Sequence, residues 1–264
     1  MPFTAQDFKE AVVEFRRSVE DELAAGWEQV STLGDLVVYR RPLGEKGGYE
    51  YMARGELVDI KPEVCHDVFV DLDYRRRWDN YKKSALHVIG EDVTEDGDTA
   101  SGEALKAQLS EATNDRQNAI YWRQDYTWPV QSRDYCLERE SQRAEVERET
   151  TWIVLTASVD PSLAKPEQEG CIRVNDCRQK VVLQASPSTP FSTAVYFYYH
   201  EDPRGSLPST VFDWALKHGV PSWLKRFTKA CAEYHTNSFN GNMLDGVSEL
   251  KEVLDESLKK GFVL

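Results

Sequence analysis

The stretch KVVLQASPSTPFSTAVYFYYH, residues 180–200, contains two runs of β-branched and aromatic residues separated by a loop with two prolines. Such runs predict strands, whereas proline is typical of turns and strand edges. The loop is too short to hold a crossover helix, so we expect the two strands to pair as an antiparallel hairpin.

Segments of the same kind extend through most of the chain. We predict strands at residues 27–30, 36–40, 49–57, 86–89, 119–126, 133–140, 150–159, 171–183 and 193–200. Short polar or proline-containing loops separate most of them, and strands that follow one another without crossover helices form an antiparallel sheet.

Helical periodicity surrounds this strand series. An amphipathic helix ending near residue 26 is predicted from apolar residues spaced by three and four, namely Phe8, Val12, Phe15, Val19 and Leu23. Pro62 fits the first turn of a short helix to residue 71, and a long helix is predicted over 208–237. The order predicts an α+β fold, in which a curved antiparallel sheet wraps around a long C-terminal helix. Such folds often enclose an apolar ligand cavity.

Two segments lie outside this pattern, so we divide the chain into a main domain at 1–240 and an extra amphipathic helix at 241–264. Within the main domain, an acidic insert is predicted at about 91–116. Its residues 91–111 hold seven acidic side chains and one lysine, a net charge of −6. The extra helix is predicted from Val247, Leu250, Leu254 and Leu258.

The overall charge excludes one class of partner. The 264 residues carry 45 acidic against 32 basic side chains, a net charge of −13, and a nucleic-acid binder needs a basic face. No apolar run is long enough to span a bilayer, and the N-terminus lacks an apolar signal core. We therefore expect a soluble, cytoplasmic protein.

Cysteine and histidine spacing indicates no metal or cofactor. The five cysteines include no Cys-x-x-Cys pair, and the five histidines show no metal-ligand spacing. No nucleophile motif such as Gly-x-Ser-x-Gly precedes a helix. We expect free thiols, no metal, no cofactor and no enzymatic activity.

Five motifs in order carry a family resemblance. They are Asp73–Asp79 (DYRRRWD), Tyr121-Trp122, Ser132–Tyr135 (SRDY), Gly170–Val174 (GCIRV) and Val220–Leu224 (VPSWL). Together they resemble the START lipid-transfer domain family over about residues 8–234. The resemblance implies a helix-grip fold around one lipid. It also implies transfer of that lipid between membranes, with no bond made or broken.

The resemblance also implies a ligand and its binding residues. The ligand would be a glycerophospholipid, and phosphatidylcholine is the first candidate. The positions that match the headgroup site are Arg75 and Asp79 as a buried pair, Trp122, Tyr135 and Tyr199 as aromatics around choline, and Gln179 as a polar neighbour. The residue types fit, because arginine binds phosphate through a planar fork and aromatic faces attract a quaternary ammonium.

Cys177 departs from the family pattern. It matches a position at which the phosphatidylcholine-binding subgroup of the family has a tyrosine next to choline. A thiol offers no ring face to a cation. Three interpretations remain open: looser binding of phosphatidylcholine, recruitment of Tyr196, Tyr198 or Tyr199, or acceptance of phosphatidylethanolamine.

Release of a buried lipid requires a segment that opens at the membrane. The final long helix mixes aromatic and basic residues, and its predicted membrane contacts are Trp214, Lys217, Trp223, Lys225, Arg226 and Phe227. An equally weighted interpretation is that its aromatic side lines the cavity and its lysines are merely solvated. The loop 185–191 is a second candidate gate.

Three hypotheses of function therefore remain. The first is a phospholipid transfer protein that visits membranes transiently. The second is a lipid-sensing regulator, binding phosphatidylethanolamine or another lipid, with a protein partner at 241–264. The third is a hydrolase on a related scaffold, which no motif supports.

Overall fold

A computed structural model describes residues 3–44, 48–79, 85–88, 119–125, 131–159, 166–189, 191–202, 204 and 219–234. The predicted acidic insert at 91–116 and the predicted helix at 241–264 lie outside these residues. Trp214 and Lys217 lie outside them as well.

The described residues form helices before, within and after a strand series; the sequence predicted one short internal helix to residue 71, and the structure has two. The helices are α1 (Ala5–Arg16), α2 (Val19–Ala24), α3 (Pro62–Val70), α4 (Leu72–Trp78) and α5 (220–234). The strands are β1 (Glu28–Leu33), β2 (Leu36–Pro42), β3 (Tyr49–Leu57), β4 (Ala85–Val88), β5 (Ala119–Gln124), β6 (Ser132–Val146), β7 (Glu149–Ser158), β8 (Cys171–Val174), β9 (Cys177–Ala185) and β10 (Thr193–Glu201).

The strands form one curled sheet in the order β1-β2-β3-β10-β9-β7-β6-β5-β4. Neighbours on this path are antiparallel, which confirms the α+β class and its antiparallel sheet. β8 differs, because it pairs parallel with the start of β6. That pairing joins two of the sequence motifs through a buried ion pair, in which Arg173 Nε and Nη2 each donate to Asp134 at 2.8 Å.

The long first helix predicted from periodicity is wrong in one respect, because the structure divides it into α1 and α2. Arg17 leaves the helical conformation at ψ 144°, and the side chain of Ser18 then caps α2 by accepting from the Asp21 N–H. The break changes the helical phase, so Val19 and Leu23 are 43% and 49% exposed.

The single strand predicted over 171–183 is also two strands, β8 and β9, with Asn175 and Asp176 between them. β6 in turn runs to Val146, beyond its predicted end at residue 140. A tight turn through Glu147 and Arg148, both at positive φ, joins it directly to β7.

Side-chain alternation along the strands separates two apolar layers. On the outer face, α1 packs through Phe8 against a cluster that includes Met52, Val182 and Tyr196. On the inner face, α3 and α5 pack against a cluster that includes Val181, Leu183 and Val195. The sheet therefore wraps around α5, with Phe227 completely buried between them.

Candidate functional site

The register of the central strands arranges the inner face in rows. One row, from β7, β9 and β10, is apolar and joins Val154, Val181 and Phe197. The next inner row lies two residues away on each of these strands and also includes β6. Its members are Arg139, Thr156, Gln179 and Tyr199. A further two residues away on β9 and β10, Cys177 lies opposite Glu201. The side chains of the inner face thus change from apolar to polar over two residues of each strand.

Helix α4 brings a buried ion pair to the polar end of this face. Asp71 caps α4 by accepting from the Tyr74 N–H at 2.8 Å, and Tyr74 donates to the Ala230 carbonyl at 3.0 Å, which fixes α4 against α5. Arg75 Nε donates to Asp79 Oδ2 at 3.1 Å, and both side chains are almost completely buried. The structure therefore brings together the two residues expected to form the pair.

Asp79 also links this pair to α5. Its Oδ2 accepts from Trp223 Nε1 at 3.3 Å, and its Oδ1 lies 3.5 Å from Arg226 Nη2. A buried carboxylate needs such partners, because leaving it unpaired carries a large desolvation penalty. The packing of α5 is in this way coupled to the charge balance around Arg75.

The aromatic residues expected around choline are adjacent to Arg75. Trp122 and Tyr135 are cross-strand partners on β5 and β6, and their rings stack with centroids 5.1 Å apart. The Arg75 guanidinium lies 5.5 Å from the Trp122 centroid. These three predicted residues form one continuous cluster.

Tyr199, Gln179 and Cys177 complete the polar end. Tyr199 donates to Glu201 Oε2 at 2.6 Å, and Tyr135 donates to the same oxygen at 2.8 Å. Burial raises the pKa of the Tyr199 hydroxyl, so it remains a donor at neutral pH. Burial likewise raises the pKa of the Cys177 thiol, so this side chain is uncharged, and Gln179 Nε2 contacts its sulfur at 3.9 Å.

Sequence reasoning missed two residues of this cluster, Arg139 and Glu201. Arg139 is 7% exposed, and among the described residues its guanidinium donates only to neutral oxygens, those of Thr156 at 3.3 Å and the Phe69 carbonyl at 3.4 Å. Burial and the charge of Arg75 lower the pKa of Arg139 to about 9, so the group is still charged at neutral pH. A cation at an inward strand position was the signal that could have identified it.

The predicted membrane contacts on α5 divide between its two sides. Phe227 is buried and Trp223 half-buried, and their rings stack with centroids 5.2 Å apart. Lys225 is exposed, whereas Arg226 lies against Asp79. Membrane contact by Trp223 and Phe227 stays a prediction and requires α5 to move. In the second candidate gate, Phe191 is 73% exposed.

Comparison with known proteins identifies the architecture. The family model of the START domain matches residues 8–237. This chain belongs to the START family. Its fold is therefore the helix-grip α+β fold expected from the motifs, and its family is one of lipid-transfer domains.

Several START relatives cover most of the chain. The phosphatidylcholine transfer protein of Mus musculus is 30% identical over 233 residues, which are 88% of this chain and 95% of that protein. That of Bos taurus is 31% identical over 233 residues, with the same coverage. The crystal structure of human STARD10 superposes with a TM-score of 0.65 at 19% identity, covering 93% of this chain and 86% of that one.

The described helices carry no candidate membrane span, since none of them is both long and apolar enough to cross a bilayer.

Proposed function

We propose that this START domain binds one molecule of phosphatidylcholine between the inner face of its sheet and α5, and carries it from one membrane to another. No bond is made or broken in this process. The relatives that bear the name phosphatidylcholine transfer protein support the ligand, and the change from apolar to polar rows supports its orientation.

The observation that carries the proposal is a pair of buried guanidinium groups that both lie next to one ring. Arg75 lies 5.5 Å and Arg139 lies 5.1 Å from the centroid of Phe69. Asp79 balances Arg75, whereas Arg139 forms no ion pair with any described residue. A buried cation is stabilised by an anion brought into contact with it, and a phosphodiester supplies that anion together with acceptor oxygens.

The remaining parts of the lipid fit the neighbouring rows. The ammonium end would lie beside Trp122, Tyr135 and Tyr199. The acyl chains would lie along the apolar row, where each buried methylene contributes about 0.8 kcal/mol. A lipid held in this way would enter water only at a large free-energy cost, so exchange takes place at a membrane surface.

We further propose that α5 makes this transient contact from the cytoplasmic side. Lys225 and Lys229 are exposed on the side opposite to Phe227, where they can meet lipid phosphates while the aromatic residues leave the interior.

Transfer of labelled phosphatidylcholine between donor and acceptor vesicles tests the proposal. Purified protein should accelerate transfer at catalytic amounts and should contain one phospholipid by native mass spectrometry. Loading without transfer, or transfer without loading, would contradict it. Release of free fatty acid or a free headgroup from the same lipid would instead show an enzyme.

The contact of Asp79 with Trp223 favours a second candidate, a lipid-sensing regulator. Because this contact couples the headgroup site to α5, loading can alter the chain beyond it, including 241–264. A partner that binds loaded but not lipid-free protein, and only when 241–264 is present, would support this candidate.

A further inference from the structure

The loop between β9 and β10, described at residues 186–189, 191 and 192, is attached to β3 through one carboxylate. Ser186 Oγ donates to Glu56 Oε1 at 2.8 Å, and Thr189 Oγ1 donates to Glu56 Oε2 at 2.8 Å. Ser188 Oγ donates to Glu56 Oε1 as well. Hydrogen bonds from Ser188, Ser186 and Thr189 lower the pKa of Glu56, so its carboxylate is charged at neutral pH. One anion thus holds the loop by three hydroxyl donors.

The backbone of the loop depends on the same hydroxyl groups. Ser186 Oγ accepts from the N–H of Ser188 at 3.2 Å and from that of Thr189 at 3.1 Å. At the end of the loop, Ser192 Oγ accepts from the Asp59 N–H at 3.0 Å, which joins it to the segment after β3. A charge placed on Ser186 or Thr189 would act directly on the contacts that hold the loop in place.

The loop lies at the apolar end of the inner face. Leu183 pairs with Val195, and both belong to the inner apolar cluster. Two residues closer to the loop, Ala185 pairs with Thr193. The polar row that contains Tyr199 lies in the opposite direction along the same strands. Under the proposed function, the loop is therefore at the end of the sheet where the acyl chains would lie.

The sequence of this loop differs from the rest of the chain in one respect. Of the eleven prolines, only Pro187 and Pro190 directly follow a serine or threonine, namely Ser186 and Thr189. A proline after the hydroxyl residue is the feature that a proline-directed protein kinase selects. Pro187 is exposed, and exposed loops with small polar residues open locally at low cost.

We propose that Ser186 and Thr189 are phosphorylation sites of a proline-directed protein kinase, and that a phosphate on either one releases the loop from Glu56. In this step the hydroxyl oxygen bonds to the γ-phosphorus of ATP, and the bond from that phosphorus to the β–γ bridging oxygen breaks. ADP leaves, and the hydroxyl proton passes to solvent. The phosphate carries about −1.5 to −2 charges at pH 7, so a donor to the carboxylate is replaced by a like charge.

The consequence for lipid rests on the proposed function. Release of the loop uncovers the apolar end of the inner face, so a loaded lipid passes to a vesicle sooner. The modification and the opening of the loop do not depend on which ligand is carried.

Phosphate incorporation and hydrogen exchange test the site in the full chain. After treatment with a proline-directed kinase and ATP, the unmodified protein should carry phosphate on Ser186 or Thr189. The variant with both Ser186→Ala and Thr189→Ala should carry none. Phosphorylation should speed exchange of the Ser192 and Asp59 amides about tenfold, as expected for loss of one hydrogen bond to a charged group. An unmodified chain that takes up no phosphate, or a phosphorylated chain with unchanged exchange, would overturn the proposal.

Replacing Glu56 by Gln separates charge repulsion from crowding. Glutamine keeps an acceptor for the hydroxyl groups and offers N–H donors to a phosphate, so phosphorylation should no longer speed exchange. Glu63→Gln removes an exposed carboxylate on α3 and should keep the full response. An equal response in both variants would overturn the role of Glu56.

Release of labelled phosphatidylcholine to vesicles tests the consequence for lipid. The phosphorylated protein should release it several-fold faster than the unmodified protein. A loop that opens without a change in release would overturn its role in lipid exchange. A chain that binds no phospholipid would overturn the proposed function, whereas the phosphorylation and the opening of the loop would still be measured.

Discussion

Arg139 lies over the ring of Phe69, with its guanidinium carbon 5.1 Å from the ring centroid and its Nη1 3.4 Å from the Phe69 carbonyl oxygen. The same ring lies 5.5 Å from the guanidinium carbon of Arg75, so one phenylalanine on α3 is next to two buried cations. Asp79 balances the charge of Arg75, whereas Arg139 forms no ion pair with any described residue. An anion that binds next to Arg139 would therefore stabilise the site.

Replacing Arg139 by Met should separate lipid binding from stability. Methionine keeps much of the side-chain volume but removes the buried charge. This removal should leave the free energy of unfolding of the lipid-free protein unchanged or raise it by about 1 kcal/mol or more. Phospholipid uptake should fall about tenfold, because a charge-assisted contact to phosphate is lost. Denaturant unfolding and native mass spectrometry measure the two effects.

A matched control for this prediction lies on the same strand. Arg143 is exposed and lies over Trp152 at 5.3 Å, so it shares the ring contact but not the burial. Arg143→Met should change neither quantity. A large loss of stability in Arg139→Met with uptake unaffected would show that Arg139 has a purely structural role.

Replacing Asp79 by Asn should destabilise the lipid-free form more than the loaded form. The change leaves Arg75 without its buried anion, at a cost of about 1–3 kcal/mol, whereas in the loaded protein the phosphate supplies a replacement. Unfolding of both forms in urea checks this. Asp73→Asn, which alters an exposed pair with Arg76, should affect neither form. Equal losses in both forms would argue against a phosphate at Arg75.

Reversing the exposed charges of α5 should slow transfer to anionic vesicles. Each lysine near an anionic surface contributes about 1 kcal/mol, so Lys225→Glu combined with Lys229→Glu should reduce the rate about tenfold or more at low salt and much less at high salt. Lys9→Glu, on the exposed side of α1, serves as the control. A rate that does not respond to lipid charge would place the membrane contact elsewhere.

Removing residues after Asn240 should leave transfer largely intact. The family match ends at residue 237, and the main domain is expected to be complete without the final segment. Vesicle transfer by the truncated protein measures this. A truncated protein that is loaded but inactive would show that 241–264 belongs to the transfer mechanism.

Local sequence patterns were sufficient for the fold class and for most of the site. Strand patterns and five motifs predicted the sheet, the family and the proximity of Arg75 to Asp79. The break at Ser18 escaped periodicity, because Val19 and Leu23 continue the apolar spacing although a capping side chain has already ended the first helix.

The two missed residues were missed for different reasons. Glu201 is the last residue of β10 and falls one position beyond the predicted strand, so it was not assigned to a face. Arg139 was inside a predicted strand, but charged residues are ordinarily placed at the surface. Only the register, which sets Arg139 opposite Thr156, shows that it points inward.

The rows of the inner face also have an evolutionary consequence. Each central strand contributes one residue to the apolar row and another, two positions away, to the polar row. Under the proposed function, tail recognition and headgroup recognition therefore depend on separate positions of the same strands. The proposed function then implies that single replacements in the polar row can change headgroup selectivity while the hydrocarbon-binding surface is kept.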